Sequence, residues 1–353
     1  MKTTKDKKFK KLISKSKIIN YVSFIVILFA IRFLFFKISS CSKEIPKTIN
    51  KNLNYNFCNN LELHMVDVGQ GDAFIIKLPN NQLMLIDSGN NSSCDKLVSY
   101  LKNNFSTSTI DYVVATHPDS DHIGGMNEIF ENFKIGYVFR PFVKFTGTNT
   151  HSSSVFSSKF NQGAYINDYE CTNDYYNFLQ AILAEKCGWE FFNYNSDITI
   201  NLKDGNGEFC CKVDFLTPIS KIEDISYSNV NEFSPIILLS FNDKNILFTG
   251  DASSEAIEEF NVCYQNLIKT TNIDVLKVSH HGAESSYSLG LISSLKPNYA
   301  LISCGLNNAY GHPSDQIING LFENKSFVYR TDLNGSVKLT INKEGSLTFN
   351  KEK

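Results

Sequence analysis

The 353-residue chain has no C-x-x-C pair and no zinc-ribbon spacing among its nine cysteines, Cys41, Cys58, Cys94, Cys171, Cys187, Cys210, Cys211, Cys263 and Cys304. That excludes a thiolate-held zinc module. Most of these thiols read as small buried hydrophobes, and some are free to form bridges if the domain is outside the cell. The chain also lacks a positive field, with a formal net charge of -2. Its lysines crowd the N-terminus, where Lys2, Lys5, Lys7, Lys8, Lys10, Lys11, Lys15 and Lys17 face only Asp6. The remainder is therefore acidic, so a polyanionic substrate would have to be held by metal ions and local basic groups. Disorder is excluded as well, because 42% hydrophobic content over this length can bury a full core.

Behind the basic tail, residues 1–17, runs IINYVSFIVILFAIRFLFFKI, Ile18 to Ile38. Its length matches the ~20 residues that cross a bilayer. Arg32 interrupts it, but an arginine near one end can snorkel to the headgroups. The basic flank predicts a single-pass signal anchor with the tail in the cytoplasm and the rest outside the cell. A cleaved signal peptide is the alternative. Ile38-Ser39-Ser40-Cys41 loosely resembles a lipoprotein processing site, with Lys37 out of place. Residues 39–59 are Lys- and Asn-rich and read as a linker, which leaves 60–353 as the folded domain.

That domain repeats one unit, a short apolar strand ending abruptly in polar residues. The instances are LELHMVDVGQGD (Leu61–Asp72), LMLIDSG (Leu83–Gly89), YVVATHPDSDH (Tyr112–His122), NILFTGD (Asn245–Asp251), DVLKVSHHG (Asp274–Gly282) and YALISCG (Tyr299–Gly305). Strands apolar at successive positions suit sheets buried on both faces. Helical patterns fall between them, at Cys94–Lys102, Met126–Phe133, Ser254–Leu267 and Ser314–Glu323. LMLIDSG followed by the THPDSDH strand is echoed by NILFTGD followed by the VSHHG strand. The expectation is an α/β fold of two related halves, an αββα sandwich of two mixed sheets covered by helices.

ATHPDSDHIGG, Ala115–Gly125, packs His117, Asp119, Asp121 and His122 directly behind a strand. His117 and Asp119 alternate and project to one side of an extended loop, while Asp121 and His122 diverge. Pro118 keeps the loop out of a ladder, and Gly124 and Gly125 admit a close helix. One loop of this kind can serve two metal ions. Asp251 and the His280-His281 pair would complete the set from the second half.

H-P-D-S-D-H resembles the metal-binding loop of the metallo-β-lactamase superfamily. VDVGQGDAFII (Val66–Ile76), THPDSDHIGG (Thr116–Gly125), FTGD with LKVSHHG, and GLNNAYGHP (Gly305–Pro313) resemble its ComEC-type branch, the hydrolase domain attached to the bacterial DNA-uptake channel. YRTDLNGSVKL, Tyr329–Leu339, resembles that branch's C-terminal hairpin. The resemblance spans roughly Leu61 to Phe349, whereas the many-helix channel portion is missing.

The resemblance implies two divalent ions, zinc or manganese. His117 and Asp119 would serve the first, Asp121 and His280 the second with His122 alongside, and Asp251 would bridge them. Asp87 would orient the ligand loop, and Asp67, Gln70 and Asp72 would support the site or meet substrate. The second loop position is Asp119 where the wider superfamily has histidine. Asn231 and Ser234 stand where a further histidine is expected, so the first site is richer in oxygen, which favours manganese beside zinc. Spacing does not decide between His280 and His281. Leu276, Val278 and His280 share period two, which favours His280 as the inward residue. His312 would bind substrate or donate a proton, with Asn307, Asn308 and Tyr310 on the rim. His64 and His151 have no matching motif.

Between Phe142 and Asn195 the chain is least like the family. A polar stretch leads to a predicted helix at Asp174–Lys186 with Phe178, Leu179, Ile182 and Leu183 on one face, readable as a substrate lid or a surface elaboration. The activity implied is metal-assisted hydrolysis, with Asp121 and Asp251 positioning the water and a phosphodiester, extracellular DNA, as substrate. A hydrolase of cell-envelope phosphoesters and a non-catalytic module of a DNA-uptake or conjugation apparatus are the alternatives.

Overall fold

The computed structural model describes residues 48–49, 59–141, 143, 172–192, 198–203, 209–217, 229–286 and 289–353. Among the described residues no helix is long and apolar enough to cross a membrane. The expected anchor at 18–38, Cys41 and His151 lie outside them.

The strands run in chain order as β1 (Thr48–Ile49), β2 (Leu61–Met65), β3 (Phe74–Lys77), β4 (Leu83–Ile86), β5 (Thr109–Val114), β6 (Lys134–Pro141), β7 (Gly188–Phe192) and β8 (Thr199–Lys203). They continue as β9 (Phe209–Phe215), β10 (Ile237–Phe241), β11 (Lys244–Phe248), β12 (Val275–Lys277), β13 (Tyr299–Ile302), β14 (Phe327–Arg330), β15 (Val337–Ile341) and β16 (Leu347–Lys351). One sheet has the order β16-β15-β2-β3-β4-β5-β6-β7 and the other β1-β8-β9-β10-β11-β12-β13-β14. Both are mixed, and their plans match. β2, β3 and β4 are antiparallel, then β4, β5 and β6 run parallel. In the second sheet β9, β10 and β11 are antiparallel, then β11, β12 and β13 run parallel. The echo in the sequence is thus an echo in topology.

Alternation along each strand builds three apolar layers. Met84 and Ile86 of β4, Tyr112 and Val114 of β5, and Ile246 and Phe248 of β11 meet between the sheets. Leu83, Leu85 and Val113 turn outward to the helices Cys94–Asn104 and Met126–Asn132. Leu247, Leu276, Ala300 and Ile302 do the same toward Ser254–Cys263 and Asp315–Glu323. Burial on both faces is why these strands read as continuous apolar runs.

Four expectations need correction. The helix foreseen over Ser254–Leu267 is two, broken at Tyr264, where ψ is 28 and the hydroxyl donates to the Leu216 carbonyl. Tyr329–Leu339 is not a hairpin. Its two ends lie in different sheets, β14 beside β13 and β15 beside β2, and the hairpin is β15–β16. The helix Asn173–Glu185 buries Tyr175, Phe178, Leu179 and Ile182 against the first sheet's outer layer, and β7 extends that sheet. This described part is built into the first sheet and its helical layer as a parallel crossover from β6 to β7, not laid on the surface. The polar residues 144–171 lie outside the described residues. Finally, Leu276 and Val278 face the outer helical layer, while Lys277 is fully buried on the side between the sheets.

Candidate metal centre

The parallel strands of each sheet end at one edge, and their polar ends supply the candidate site. β4 leads to Asp87, β5 to His117–His122, β11 to Asp251, and β12 to His280 and His281. The loop from β2 to β3 adds Asp72, in contact with the ligand loop. A Cβ on Gly71 would lie 2.1 Å from the Asp121 carbonyl oxygen, and Gly71 has φ +130. Only glycine permits both that conformation and that approach.

Asp72, His122, Asp251 and His281 are all buried, with ligand atoms within 4.8 Å of one another. Asp251 Oδ2 lies 3.2 Å from His122 Nε2, 3.3 Å from His281 Nε2 and 3.8 Å from His280 Nε2. Asp121 Oδ2 lies 3.3 Å from His281 Nε2. On the adjoining side His117 Nε2 is 3.5 Å from Asp119 Oδ2. The geometry therefore brings His117, Asp119, Asp121, His122, Asp251, His280 and His281 together from both sheets.

Neither member of the histidine pair turns away. Strand alternation would separate them, but β12 has already ended, and His280 and His281 both have positive φ, 49 and 53. In this left-handed turn both imidazoles reach the same carboxylate oxygen. His281 is the deeper, 1% exposed at the side chain against 25% for His280. The preference for His280 as the inward residue is thus reversed, because it assumed that the extended strand continued.

Hydrogen bonds set the tautomers. His122 Nδ1 donates to Asp87 Oδ2 at 2.7 Å, and His281 Nδ1 to the Ser303 carbonyl at 2.9 Å. His117 Nδ1 lies 3.0 Å from Thr116 Oγ1, which itself donates to Asp87 Oδ2. In each case Nε2 is left facing the cluster, as a ligating imidazole requires. Asp87, fully buried with φ 57, also accepts from the Thr116 amide. Ser234 Oγ accepts from the Asp251 amide at 3.0 Å and lies 3.4 Å from His117 Nδ1. Its role is thereby to hold backbone and ring.

Lys277, on the opposite face of β12 from Leu276 and Val278, is a neighbour of the site. Its ammonium pairs closely with Asp72 Oδ2, donates to the Gly250 carbonyl at 2.7 Å and lies 3.5 Å from Asp251 Oδ1. The available signal was a lysine inside an otherwise apolar strand, since a buried ammonium needs carboxylate partners. Burial alone would lower Lys277, but Asp72 and Asp251 outweigh it and leave it raised. Burial likewise opposes the charged forms of His122 and His281, and Asp251 with Asp87, Asp121 and Asp72 raises both well above the ordinary histidine value. Asp251 and Asp121 are held low against their own burial, Asp251 chiefly by His122 and His281, and Asp121 chiefly by a bond from His281.

Residues of this kind fit divalent ions. His117 Nε2 is buried without a hydrogen-bond partner. His122 and His281 set Nε2 against Nε2 at 3.3 Å, two lone pairs that need a cation or proton between them. The donors are imidazole and carboxylate, the set that suits zinc and manganese.

The remaining residues take outer places. Asp67 binds the Gly69 amide and meets Lys96 and Lys353, directed at these lysines rather than the cluster. Gln70 Oε1 accepts from the Gly305 amide and so supports the rim loop. Asn231 is buried with Oδ1 unpartnered among the described residues, and its carbonyl accepts from the Ser234 amide at 2.9 Å. His312 lies beside His280, ring centroids 5.5 Å apart, with Asn308 and Tyr310 on the same loop. His64 packs in a T-shape on Tyr100 and Phe105, away from the site.

The model of the metallo-β-lactamase superfamily matches residues 66–178. Among curated proteins, ComE operon protein 3 of Bacillus subtilis is 24% identical over 78% of this chain and 32% of its own length. Recombination protein 2 of Haemophilus influenzae is 24% identical over 79% of the chain and 28% of that protein. Competence protein ComA of Neisseria gonorrhoeae is 23% identical over 79% and 32%. The chain thus spans about a third of the length of these curated relatives. A solved B3 metallo-β-lactamase with an active-site glutamic acid aligns over 77% of this chain and 91% of its own, at 13% identity and TM-score 0.37. With two mixed sheets, covering helices and a His/Asp cluster at their shared edge, the chain belongs to the metallo-β-lactamase superfamily. Within it, the chain is similar to the competence proteins and resembles the ComEC type.

Proposed function

We propose that this chain is a membrane-anchored, metal-dependent phosphodiesterase or nuclease acting on extracellular DNA in a DNA-uptake apparatus. The observation that carries the reading is the convergence of His122, His281, Asp121 and Asp251, from strand ends of two sheets, on one small volume. His117, Asp119 and His280 border it. Asp121, His122 and His281 would hold one ion, His117 and Asp119 another, with Asp251 shared. Divalent ions so held supply Lewis-acid activation of water and neutralise charge developing on a phosphate.

The chain's own groups do the rest. Asp87 and the Ser303 carbonyl hold the Nδ1 protons of His122 and His281, so neither ring can rotate without losing a buried bond. Lys277 balances the charge of Asp72 and adds to the effect of His122 and His281 in keeping Asp251 low. Burial, with His280 and His281 beside it, lowers His312, which is therefore neutral near pH 7 and able to take or relay a proton. The anchor at Ile18–Ile38 would place the domain outside the cell, a setting that suits Cys210 and Cys263, each of which is disulfide-bonded. The names of the relatives support the link to DNA uptake.

The test is an assay of the detergent-purified full chain on single- and double-stranded DNA with manganese or zinc. Cleavage that is abolished in Asp121→Ala protein supports the reading. Metal binding with turnover of envelope phosphoesters and none of DNA would replace it by the envelope hydrolase, and absence of all turnover by the binding module.

A further inference from the structure

We propose that Tyr310, seated on His312, is a stacking platform for an unpaired nucleobase of the substrate; this rests on the phosphodiesterase reading above. The loop Gly305–Pro313 follows β13, whose end supplies the Ser303 carbonyl that holds His281. From His281 outward the rings form a stepped series. His312 lies near-parallel to His281, 25° between planes and 6.3 Å between centroids. Tyr310 in turn lies over His312, again at 25° and 5.6 Å. The last ring is 70% exposed, and Leu306 on the same loop is 67% exposed.

An exposed tyrosine by itself is ordinary surface. What sets this one apart is that its loop is braced. Asn308 Oδ1 accepts from the amides of Tyr310 and His312, and its Nδ2 donates to the carbonyls of Gly305 and His312. Gln70, from the loop after β2, ties down the Gly305 amide. A Cβ on Gly305 would lie 2.8 Å from the Gln70 amide nitrogen, so the two loops are in tight contact. A flat apolar ring is thus held open to solvent on a rigid support, one imidazole away from the metal centre. With a phosphodiester at that centre, the base of a neighbouring nucleotide falls within reach of Tyr310. A planar heterocycle gains on such a surface, and the gain is indifferent to base identity. A base in a duplex has both faces stacked already, so the platform selects single strands or frayed ends.

The test compares a labelled single-stranded oligonucleotide with its abasic counterpart, binding to the full chain in detergent followed by fluorescence anisotropy. The wild-type protein should bind the base-bearing strand on the order of tenfold more tightly. Tyr310→Ala should erase that difference and leave abasic binding unchanged, whereas Tyr310→Phe and Tyr310→Trp should keep it. Equal wild-type affinity for the two strands, or an equal loss on both in Tyr310→Ala, would overturn the proposal. Because the readout is affinity, a chain that discriminates the strands but cleaves neither would retain the platform and lose the hydrolase reading.

Discussion

His122 of the first sheet's ligand loop and His281 of the second sheet face each other Nε2 to Nε2 at 3.3 Å, both without solvent contact. Their Nδ1 positions are spent on Asp87 and the Ser303 carbonyl, so whatever joins the two sheets here must lie between the Nε2 atoms. In the metal-free protein the carboxylates around them, Asp251 foremost, raise both rings well above the ordinary histidine value and so favour their protonated forms.

Metal binding should therefore displace protons. Calorimetry of zinc or manganese binding in buffers of different ionisation enthalpy is expected to show net proton release, and affinity should rise with pH. The raised pKa values stabilise the metal-free fold fully below about pH 6.5, and this contribution is lost as pH climbs through the folded values. The gain in melting temperature on adding metal should accordingly grow from acid to alkaline pH. A gain independent of pH would remove these imidazoles from the ligand set.

Asp87→Asn isolates the orienting role. Asparagine tolerates the left-handed backbone at this position, φ 57, so little strain is added. The amide cannot accept at both oxygens as Asp87 does from Thr116 and His122. Metal affinity is expected to fall about 10–100-fold. Unchanged affinity by metal titration would show that His122 keeps its orientation unaided.

Lys277→Met removes the buried cation between Asp72 and Asp251. Leaving buried carboxylates uncompensated should cost about 3–5 kcal/mol in urea unfolding of the metal-free protein. Pairing it with Asp72→Leu should restore part of that loss. If the double variant is no more stable than the single, the pair is not coupled.

His64 offers a pH dependence independent of the metal centre. Burial, reinforced by the nearby Lys338 charge, pushes its imidazole down to about 4. Above pH 6.5 it is neutral in both states and has no effect. As pH falls from 6.5 to 4 the unfolded chain takes up the proton first, so stability should drop by about 3 kcal/mol over that window. A His64→Gln protein should lose most of that slope in unfolding curves recorded across it.

Much of this was legible along the chain because it depends on local order. The apolar runs of β4, β5, β11, β12 and β13 and the polar clusters behind them mark strand ends directly, and the Asp87 and Asp251 positions follow from the echo between halves. Lys277 and the orientation of the histidine pair were not legible. The phase of a two-residue alternation is known only where the strand ends, and β12 ends at Lys277, before the left-handed turn that carries His280 and His281.

The order of residues by itself determined the strand-ending units, their repetition and the donors in the ligand loop, since each is a matter of pattern within a few positions. Only the tertiary structure decided that His281 is the deeper histidine, that Lys277 faces Asp72 and Asp251, and that Tyr310 stands over His312. The partners of Lys277 and the seat of the Tyr310–His312 loop against His281 join segments separated by tens to hundreds of positions, and they are set by how two twisted sheets meet at one edge, for which no local pattern carries a code.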